Sequence, residues 1–404
     1  RQLRDFDVPL FPVTLLLGAI GIAMIFSATH ERETSGLDPV VQRQMLVAGL
    51  GVVLMLSVVL IGQDTIEGLA PVLYGLAIAL LVFVLFVGVG KSGERRWFDI
   101  GLLRFQPSEL AKYATILLLA RYLARRKTRL TRPVHLAVPL ALALVPMFLV
   151  LREPDLGTSL VFVLVLLPML YWSGARPLLL LLLAAPVLSM VVSFNLVAWT
   201  VFLALLGWLL YVSRLLVVDK VLVFVACVVT GRAAPLLWSH LEDYQRHRIL
   251  AFLNPEKFRF STGYQLIQSK IAVGSGSALG KGFLQGTQKN YAFLPEQHTD
   301  FIFSVLAEEF GFVGCLVVLS LYLFLVVRML RLASQVRNRF AGLVIVGIAS
   351  TLFVQASINI GVTLGLSPVT GMTLPLISYG GSSLLVTLTS IGIVLGMGVR
   401  RMEY

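Results

Sequence analysis

Residues 340–399 read FAGLVIVGIASTLFVQASINIGVTLGLSPVTGMTLPLISYGGSSLLVTLTSIGIVLGMGV and contain no Asp, Glu, Lys or Arg. One membrane-spanning helix needs about 20 apolar residues, so a run of this length must cross a bilayer, turn back and cross it again. Two other uncharged runs, Leu156 to Ala175 and Pro177 to Ser213, are also long enough to span. The pattern predicts a bundle of transmembrane helices.

The composition of the 404 residues excludes a water-soluble fold. Hydrophobic residues make up 57% and charged residues 13%, and the mean hydropathy is +0.88, whereas soluble domains carry roughly 25% charged residues. The net charge of +12 is spread over short loops, which is typical of membrane topology and of contact with anionic lipid rather than nucleic acid. Cys227 and Cys315 both lie in apolar runs, so neither a disulfide framework nor a cysteine metal site is predicted.

We therefore predict an all-α fold, a polytopic integral membrane helix bundle of 10–12 transmembrane helices that forms one domain over residues 1–404 with a large loop at residues 240–300. Ten is the alternative to twelve, because the hairpin Ser193 to Asn195 is short and Arg232 would lie within a span at an energetic cost. The twelve predicted spans are residues 8–29, 43–62, 68–90, 108–124, 135–151, 157–174, 177–193, 196–213, 219–238, 301–328, 340–364 and 383–399.

The distribution of basic residues predicts the orientation. Residues 121–132 contain six Arg or Lys and residues 328–339 contain four Arg, with no acid in either segment. Cytoplasmic loops retain Lys and Arg, so these loops and both termini are predicted to be cytoplasmic, although Asp64 and Glu67 oppose the trend. The extracytoplasmic loops would then be residues 91–107, 152–156, 240–300 and 365–382. The last of these is uncharged and broken by prolines and glycines, which favours a segment that dips into protein.

A glycine-rich run, Gly274 to Gly282, looks like a phosphate-binding loop but lacks the Walker A pattern. The position five residues before Gly280 is Ser275, and Gly282 replaces the Ser or Thr that should follow Lys281. Two interpretations stay open, a flexible turn or a backbone that approaches a lipid phosphate together with Lys281.

The segment FLPEQHTDFIFS, residues 293–304, places Glu296, His298 and Asp300 directly before an apolar helix. Thr299 or Asp300 is suited to cap that helix. An acid at the mouth of a membrane cavity is also where a base acting on a lipid-linked substrate would lie. Both interpretations stay open, and of the following acids at 308 and 309 at least one is expected to face the bundle interior.

A second polar cluster surrounds the predicted start of the fourth span. Glu109 and Lys112 are three residues apart and would share a helix face, either as an internal ion pair or as part of a site. Trp97 in the preceding loop is either an interfacial aromatic residue or a site residue. Asp155 has a cap-like position before the sixth span, and Arg248 belongs to a cationic start of the 240–300 loop.

Five ordered motifs resemble the SEDS family (shape, elongation, division and sporulation) of membrane glycosyltransferases, and more closely its elongation branch, RodA, than its division branch, FtsW. These motifs are RFQPSELAK (104–112), REPDLGTS (152–159), GKGFLQGTQ (280–288), FLPEQHTDFIFSVLAEEFGFVG (293–314) and PVTGMTLPLISYGGSS (368–383). The family usually has ten spans, and residues 177–238 are long enough for an additional helical pair.

The resemblance implies that the protein polymerises lipid II into β-1,4-linked glycan strands with inversion and releases undecaprenyl diphosphate. It carries Asp300 over as the catalytic carboxylate, Trp97 as a required residue of the first outer loop, and Glu109 with Lys112 as a pair in the central cavity. Because the diphosphate is a stable leaving group, one base and several cations suffice. The alternatives are a lipid II flippase and another transporter of lipid-linked substrates.

The remaining expectations concern ligands and partners. The predicted substrate-binding residues are Trp97, Glu109, Lys112, Arg248, Lys270, Lys281, Glu296 and His298, of which the four cations are assigned to diphosphate oxygens. No metal ligand set is predicted, and a divalent cation, Mg²⁺ or Mn²⁺, at the diphosphate stays open. The resemblance implies a class B penicillin-binding protein with one transmembrane helix as partner, docked on the glycine-rich span 341–364, in a bacterial cytoplasmic membrane with the active site outside.

Overall fold

The computed structural model describes residues 7, 9–30, 38–90, 95–99, 101, 104–126, 130, 132–213, 215–240, 243–259, 262–286 and 297–401. Within these ranges the chain forms fourteen α-helices and one two-stranded antiparallel hairpin. The elements are α1 (Leu10–Thr29), α2 (Pro39–Val59), α3 (Gln63–Val87), β1 (Phe98–Asp99), β2 (Arg104–Phe105), α4 (Pro107–Arg125), α5 (Ala137–Arg152), α6 (Leu156–Trp172), α7 (Pro177–Val192), α8 (Leu196–Val212), α9 (Val217–His240), α10 (Asp243–Leu253), α11 (Thr262–Ser275), α12 (Ile302–Gln335), α13 (Arg339–Leu364) and α14 (Gly381–Val399).

Each of the twelve predicted spans coincides with one helix, α1 to α9 and α12 to α14. Eight helices in the described ranges are long and apolar enough to cross a membrane, and α6, α7 and α8 are shorter apolar helices of 16 or 17 residues. Of the twelve helices that coincide with predicted spans, the last, α4, has 19 residues. The all-α membrane bundle is therefore confirmed.

Helix α13 lies at the centre of the bundle. Every residue from Phe340 to Leu352 is buried, and a Cβ at Gly347 would overlap the side chain of Ile116 on α4. The glycines of this span thus allow neighbouring helices of the same chain to approach closely. Residues 340–352 are buried among neighbouring helices, whereas Phe353, Ser357 and Leu364 are exposed, so docking of a partner helix on the span 341–364 stays a prediction.

Helix α12 is broken at Gly311, whose φ of 64° and ψ of −161° interrupt the helix. The break leaves N–H groups without their helical acceptors, and Phe312 and Val313 donate instead to the carbonyl oxygens of Ser277 (2.9 Å) and Ala278 (3.1 Å). The glycine-rich run 274–282 therefore satisfies backbone groups that the kink releases, as membrane proteins require.

The two ends of the bundle differ in charge. The basic end, defined by Arg125, Arg132, Arg328 and Arg400, contains the ion pairs Arg328–Asp7 (2.9 Å), Arg132–Asp219 (3.1 Å) and Arg125–Glu67 (2.6 Å). Glu67, which opposed the charge trend of its loop, is thus neutralised by a basic residue from α4. The contact of Asp7 with Arg328, together with the hydrogen bond from the Arg337 N–H to the Arg401 carbonyl (3.1 Å), places both ends of the described chain here.

Candidate active site

A cavity of about 220 Å³ lies at the opposite end, which we call the cavity end. It is enclosed by α10, α11, the turn before α12 and the segment between α13 and α14. Its lining residues are Arg248, Ala251, Phe252, Gln265, Leu266, Asp300, Val369 and Gly371. The cavity therefore brings together Asp300 and Arg248, two residues predicted from widely separated motifs.

The turn 297–300 is held by α1, by the segment before α14 and by Asn359 on α13. The Gln297 side-chain amide donates to the carbonyl of Ala28 on α1 (2.8 Å). The segment before α14 donates two further hydrogen bonds. The Ser378 hydroxyl donates to the Thr299 carbonyl (2.6 Å), and the Tyr379 N–H donates to the His298 carbonyl (2.9 Å). These contacts fix the approach of the chain to Asp300.

Asn359 on α13 makes a further contact with this turn. Its side-chain amide donates to the carbonyl of Asp300 (2.9 Å) and to that of Met372 (2.6 Å), and the residue is 1% exposed. One buried side chain thereby joins the Asp300 turn to the facing wall of the cavity.

Asp300 is not the N-cap residue of the following helix. The N-cap residue of α12 is Phe301, whose own side chain makes no capping hydrogen bond. The capping role expected for Thr299 or Asp300 is therefore wrong. Across the cavity, Gly371 has a φ of 73°, and a Cβ built on it would lie 3.7 Å from Oδ2 of Asp300. A glycine at this position lets the segment approach the carboxylate with a left-handed backbone.

The predicted phosphate-binding cations occupy different environments. Arg248 is half-buried and lines the cavity. Lys270 is exposed and lies against Gly365 at the carboxyl end of α13, where the helix dipole favours a positive charge. Lys281 donates to the buried Glu308 carboxylate (2.7 Å). Only Arg248 among the four cations lines the cavity beside Asp300.

Lys112 forms the predicted ion pair with Glu109 on the first turn of α4. The Lys112 Nζ lies 2.9 Å from Oε1 of Glu109, and the two side chains are 1% and 6% exposed. Neither residue lines the 220 Å³ cavity. A buried pair is strongly destabilised when one partner is removed, so this pair also steadies the centre of the bundle.

Acids at 308 and 309 were expected to include one that faces the interior, and both are buried. Glu308 pairs with Lys281, and the Glu309 carboxylate accepts a bond of 2.5 Å from the Ser27 hydroxyl on α1. The Lys281 and Gly282 N–H groups also donate to the carbonyls of these two acids (3.0 and 2.9 Å). This arrangement attaches the glycine-rich run to the first half of α12.

Trp97 belongs to a short hairpin that covers the cavity end of α5 and α6. It exchanges two backbone hydrogen bonds with Val89 (2.8 and 3.1 Å). Next to it, the Arg96 guanidinium donates to the carbonyls of Glu153 and Pro154, both at 2.6 Å. Trp97 is half-buried and is not among the residues that line the cavity.

Asp155 caps α6, as its cap-like position suggested, by accepting a bond from the Thr158 N–H (3.0 Å). The adjacent Glu153 is fully buried, and neither of its carboxylate oxygens has a hydrogen-bond partner among the described residues. Burial, helped by the Asp155 carboxylate and opposed by Arg96, raises the pKa of Glu153 to about 9. Glu153 is therefore a neutral acid near pH 7.

Several residues of this region were not predicted from the sequence. Nothing in the sequence distinguishes Gln265 and Phe252 from the other residues of the 240–300 loop. Gly371 and Glu153, by contrast, lie inside the family motifs at 368–383 and 152–159. The predicted Glu296 lies outside the described residues. The His298 ring packs against that of Tyr379, with 5.7 Å between the ring centroids and an angle of 60° between the ring planes. In the described ranges no group of three His, Cys, Asp or Glu side chains is placed to hold a metal ion.

The fold and this cavity define a class, a polytopic membrane protein with a carboxylate and an arginine in a polar cavity at one end. The chain matches the sequence model of the FtsW, RodA and SpoVE family, described as cell cycle protein, over residues 8–205 and 180–402. It belongs to this family, the SEDS family, and the predicted resemblance is confirmed. The two matched ranges overlap within α7 and α8, where the additional helical pair was expected.

Individual relatives agree with this assignment. The chain is 38% identical to the peptidoglycan glycosyltransferase MrdB of Escherichia coli (strain K12) over 390 residues, which cover 96% of this chain and 93% of MrdB. It is 34% identical to the peptidoglycan glycosyltransferase RodA of Treponema pallidum (strain Nichols), covering 100% and 99%. A solved chain described under "Structural coordination of polymerization and crosslinking by a peptidoglycan synthase complex" matches with a TM-score of 0.74 at 32% identity, covering 99% of both chains.

Proposed function

We propose that this protein is a peptidoglycan glycosyltransferase of the RodA type that polymerises lipid II into β-1,4-linked glycan strands. The observation that supports this best is that Asp300 and Arg248 line the same cavity. Relatives named peptidoglycan glycosyltransferase cover nearly the whole chain at 34–38% identity, so the activity rests on the full fold rather than on one motif.

In this proposal Asp300 is the general base. Its carboxylate takes the proton of the acceptor 4-hydroxyl while that oxygen bonds to the anomeric carbon of the donor. The bond from this carbon to the diphosphate breaks, and the electron pair leaves with undecaprenyl diphosphate. Attack opposite the leaving group converts an α-linked donor into a β-1,4 bond, and Asp300 then releases its proton to water. A positioned base of this kind contributes roughly 10² to 10⁴ in rate.

Arg248 is proposed to bind the diphosphate. A guanidinium forms charge-assisted, often bidentate, bonds to phosphate oxygens, and it stabilises the charge that develops on the leaving group. Trp97, Lys270, Lys281, Glu296 and His298 stay candidates for further substrate contacts, although Lys281 already pairs with Glu308. A divalent cation would find the Asp300 carboxylate and the diphosphate itself as oxygen ligands.

A transporter of lipid-linked substrates is the second candidate. The observation that favours it is the break of α12 at Gly311 next to buried acids, since transporters place ionisable groups on discontinuous helices. Against it, the backbone groups at this break are bonded to the glycine-rich run, and Glu308 is neutralised by Lys281. The break therefore has a structural explanation.

Purified protein with lipid II distinguishes the two candidates. A glycosyltransferase converts lipid II in detergent into glycan strands that form a ladder on a gel, and muramidase digests the ladder. A transporter instead moves labelled lipid II between the leaflets of liposomes and leaves it monomeric. Absence of polymer under conditions where translocation is measured would overturn the proposal.

We further propose an extracytoplasmic cavity end, cytoplasmic termini and a class B penicillin-binding protein as partner. The concentration of Arg at the basic end supports this orientation. The similar chain that belongs to a complex for polymerisation and crosslinking supports the partner. A cysteine placed at 121–132 is expected to react with an impermeant thiol reagent only from the cytoplasmic side. A cysteine placed at 243–259 is expected to react only from the outer side. Labelling of both positions from the same side excludes this orientation.

A further inference from the structure

Helices α7, α8 and α9 form a packing unit of their own. Their contact residues make a hydrophobic cluster separate from the main core, consisting of Leu182, Ala185, Leu206, Leu210, Val223 and Cys227. The two ranges matched by the family model overlap in α7 and α8. This unit contributes no residue to the lining of the 220 Å³ cavity, so its polar residues require another explanation.

Trp199 is fixed between these three helices. Its indole N–H donates to the Ser189 hydroxyl (2.9 Å), which in turn donates to the Cys227 carbonyl (2.6 Å). The indole lies flat against α9 at Gly231, where a Cβ would approach its Nε1 to 2.5 Å. Trp199 is only 7% exposed, so its ring forms a rigid platform beside the next residue of α9.

That next residue is Arg232, which is exposed although it lies within a predicted membrane span. Its guanidinium carbon lies 5.6 Å from the centroid of the Trp199 ring. No carboxylate of the described residues pairs with it. A charged side chain inside a membrane region is costly unless it is paired or reaches the interface. Because none of the described residues supplies a counter-charge, an anionic lipid headgroup would stabilise Arg232.

Aromatic residues indicate the depth of Arg232. Phe194 and Trp238 contact each other edge to face at 5.7 Å, where the ends of α8 and α9 meet, and such residues concentrate at membrane interfaces. Arg232 precedes Trp238 by six residues, which places it about 9 Å deeper along the helix. A long arginine side chain can reach the headgroup layer from this depth.

The surface of α9 on both sides of Arg232 is suited to an acyl chain. Val225, Val229 and Leu236 are 51%, 58% and 63% exposed, and together with Arg232 they follow a spacing of four, three and four residues. Residues at this spacing share one face of a helix. A cation thus lies near the top of a continuous apolar stripe on α9.

We propose that Arg232 and Trp199 bind the phosphate of an anionic phospholipid in the leaflet at the cavity end, with an acyl chain along the α9 stripe. The guanidinium donates two hydrogen bonds to the phosphate oxygens, and the indole face holds the guanidinium in place. A zwitterionic lipid is a poorer ligand, because none of the described carboxylates lies next to Arg232 to accept its ammonium group. This site does not depend on the proposed glycosyltransferase activity.

The test uses the delipidated full chain in detergent, titrated with phosphatidylglycerol or with phosphatidylcholine of the same acyl chains, and bound lipid is counted by native mass spectrometry. The wild type is expected to bind phosphatidylglycerol at least about tenfold more tightly than phosphatidylcholine, and Arg232→Gln and Arg232→Met are expected to abolish this preference. Arg232→Met is the safer variant for folding, because it makes the span more apolar.

Arg95→Gln is the matched control, since Arg95 is an exposed arginine at the same end whose guanidinium donates to the carbonyls of Leu85 and Phe86 (3.1 and 3.0 Å). It is expected to bind phosphatidylglycerol like the wild type. Equal affinity of the wild type for the two lipids, or wild-type affinity in a monodisperse Arg232→Met protein, would overturn the proposal. Displacement of phosphatidylglycerol by an equimolar polyprenyl diphosphate would also overturn it, because Arg232 would then belong to a substrate path.

Discussion

Replacement of Asp300 by Asn separates a chemical role of this carboxylate from a structural one. The N-cap residue of α12 is Phe301, so the substitution leaves the N-cap residue unchanged. The Asp300 carbonyl keeps its bond from Asn359 (2.9 Å), because that bond involves the backbone. Asn keeps a side-chain oxygen that accepts hydrogen bonds, so we expect the free energy of unfolding to change by no more than about 1 kcal/mol, the net contribution of a typical hydrogen bond.

The expected loss of activity is much larger. Asn has nearly the shape of Asp, but it cannot accept the proton of the acceptor hydroxyl. Loss of a positioned base costs roughly 10² to 10⁴ in rate, which corresponds to about 2.7 to 5.4 kcal/mol of transition-state stabilisation. We expect turnover to fall by this factor while lipid II binding is retained.

The assay measures the initial rate of lipid II polymerisation by purified protein, with thermal unfolding and lipid II binding measured on the same preparation. Asp99→Asn is the matched control, because Asp99 is an acid at the same end that is 47% exposed and 3.7 Å from Arg104, outside the cavity. It should keep near-normal turnover. The assignment of Asp300 as base is refuted if Asp300→Asn retains more than about a tenth of wild-type turnover, and attention would then move to Glu296 or Glu109.

Four further predictions follow from the same contacts. Arg248→Gln should weaken lipid II binding at least about tenfold, and wild-type lipid II affinity in this variant would exclude Arg248 as the phosphate contact. Lys281→Gln should lower the melting temperature, because it leaves the buried Glu308 without its ammonium partner. Glu153 has its pKa raised from 4.5 to about 9, so the folded state binds more protons than the unfolded state between these values, and stability falls as pH rises through this window. Glu153→Gln should flatten the dependence of melting temperature on pH from 5 to 9, and an unchanged slope would contradict the burial argument. Arg400 donates to the carbonyls of residues 59, 60 and 61 at the end of α2, each at 2.9 Å, so Arg400→Ala should destabilise the protein by about 1–3 kcal/mol, measured as a lower melting temperature with unchanged lipid II affinity.

The positions of the membrane helices could be predicted from the sequence because each depends on local composition. An apolar run of about 20 residues bounded by polar residues is sufficient to place a span, and the Glu109–Lys112 pair follows from a spacing of three residues on one helix. The long uncharged run 340–399 predicted α13 and α14 in this way. The charge of the loops at 121–132 and 328–339 likewise predicted which helix ends lie together.

The burial of α13 could not be predicted in this way. In a membrane protein the surface that contacts lipid is as apolar as the core, so hydrophobicity does not distinguish a central helix from a peripheral one. The glycines of residues 341–364 were therefore interpreted only as a surface for a partner, although Gly347 allows close packing within the chain. The kink at Gly311 was also missed, because the backbone partners of Phe312 and Val313 lie 35 residues earlier in the chain.

The candidate site combines a local signal with contacts that are remote in sequence. The motif at residues 293–304 identified Asp300, but its position depends on a carbonyl on α1, on Asn359 and on the segment before α14. Asn359 is buried and bonds both to the Asp300 turn and to the Met372 carbonyl on the facing wall, and an unpaired buried carbonyl on either side would cost about 1–3 kcal/mol. The turn and the facing wall are thus joined by hydrogen bonds from the Asn359 amide to two backbone carbonyls, and neither bond involves the Asp300 carboxylate. In the proposed reaction, Asp300 can therefore change its charge during each turnover while these two bonds stay in place.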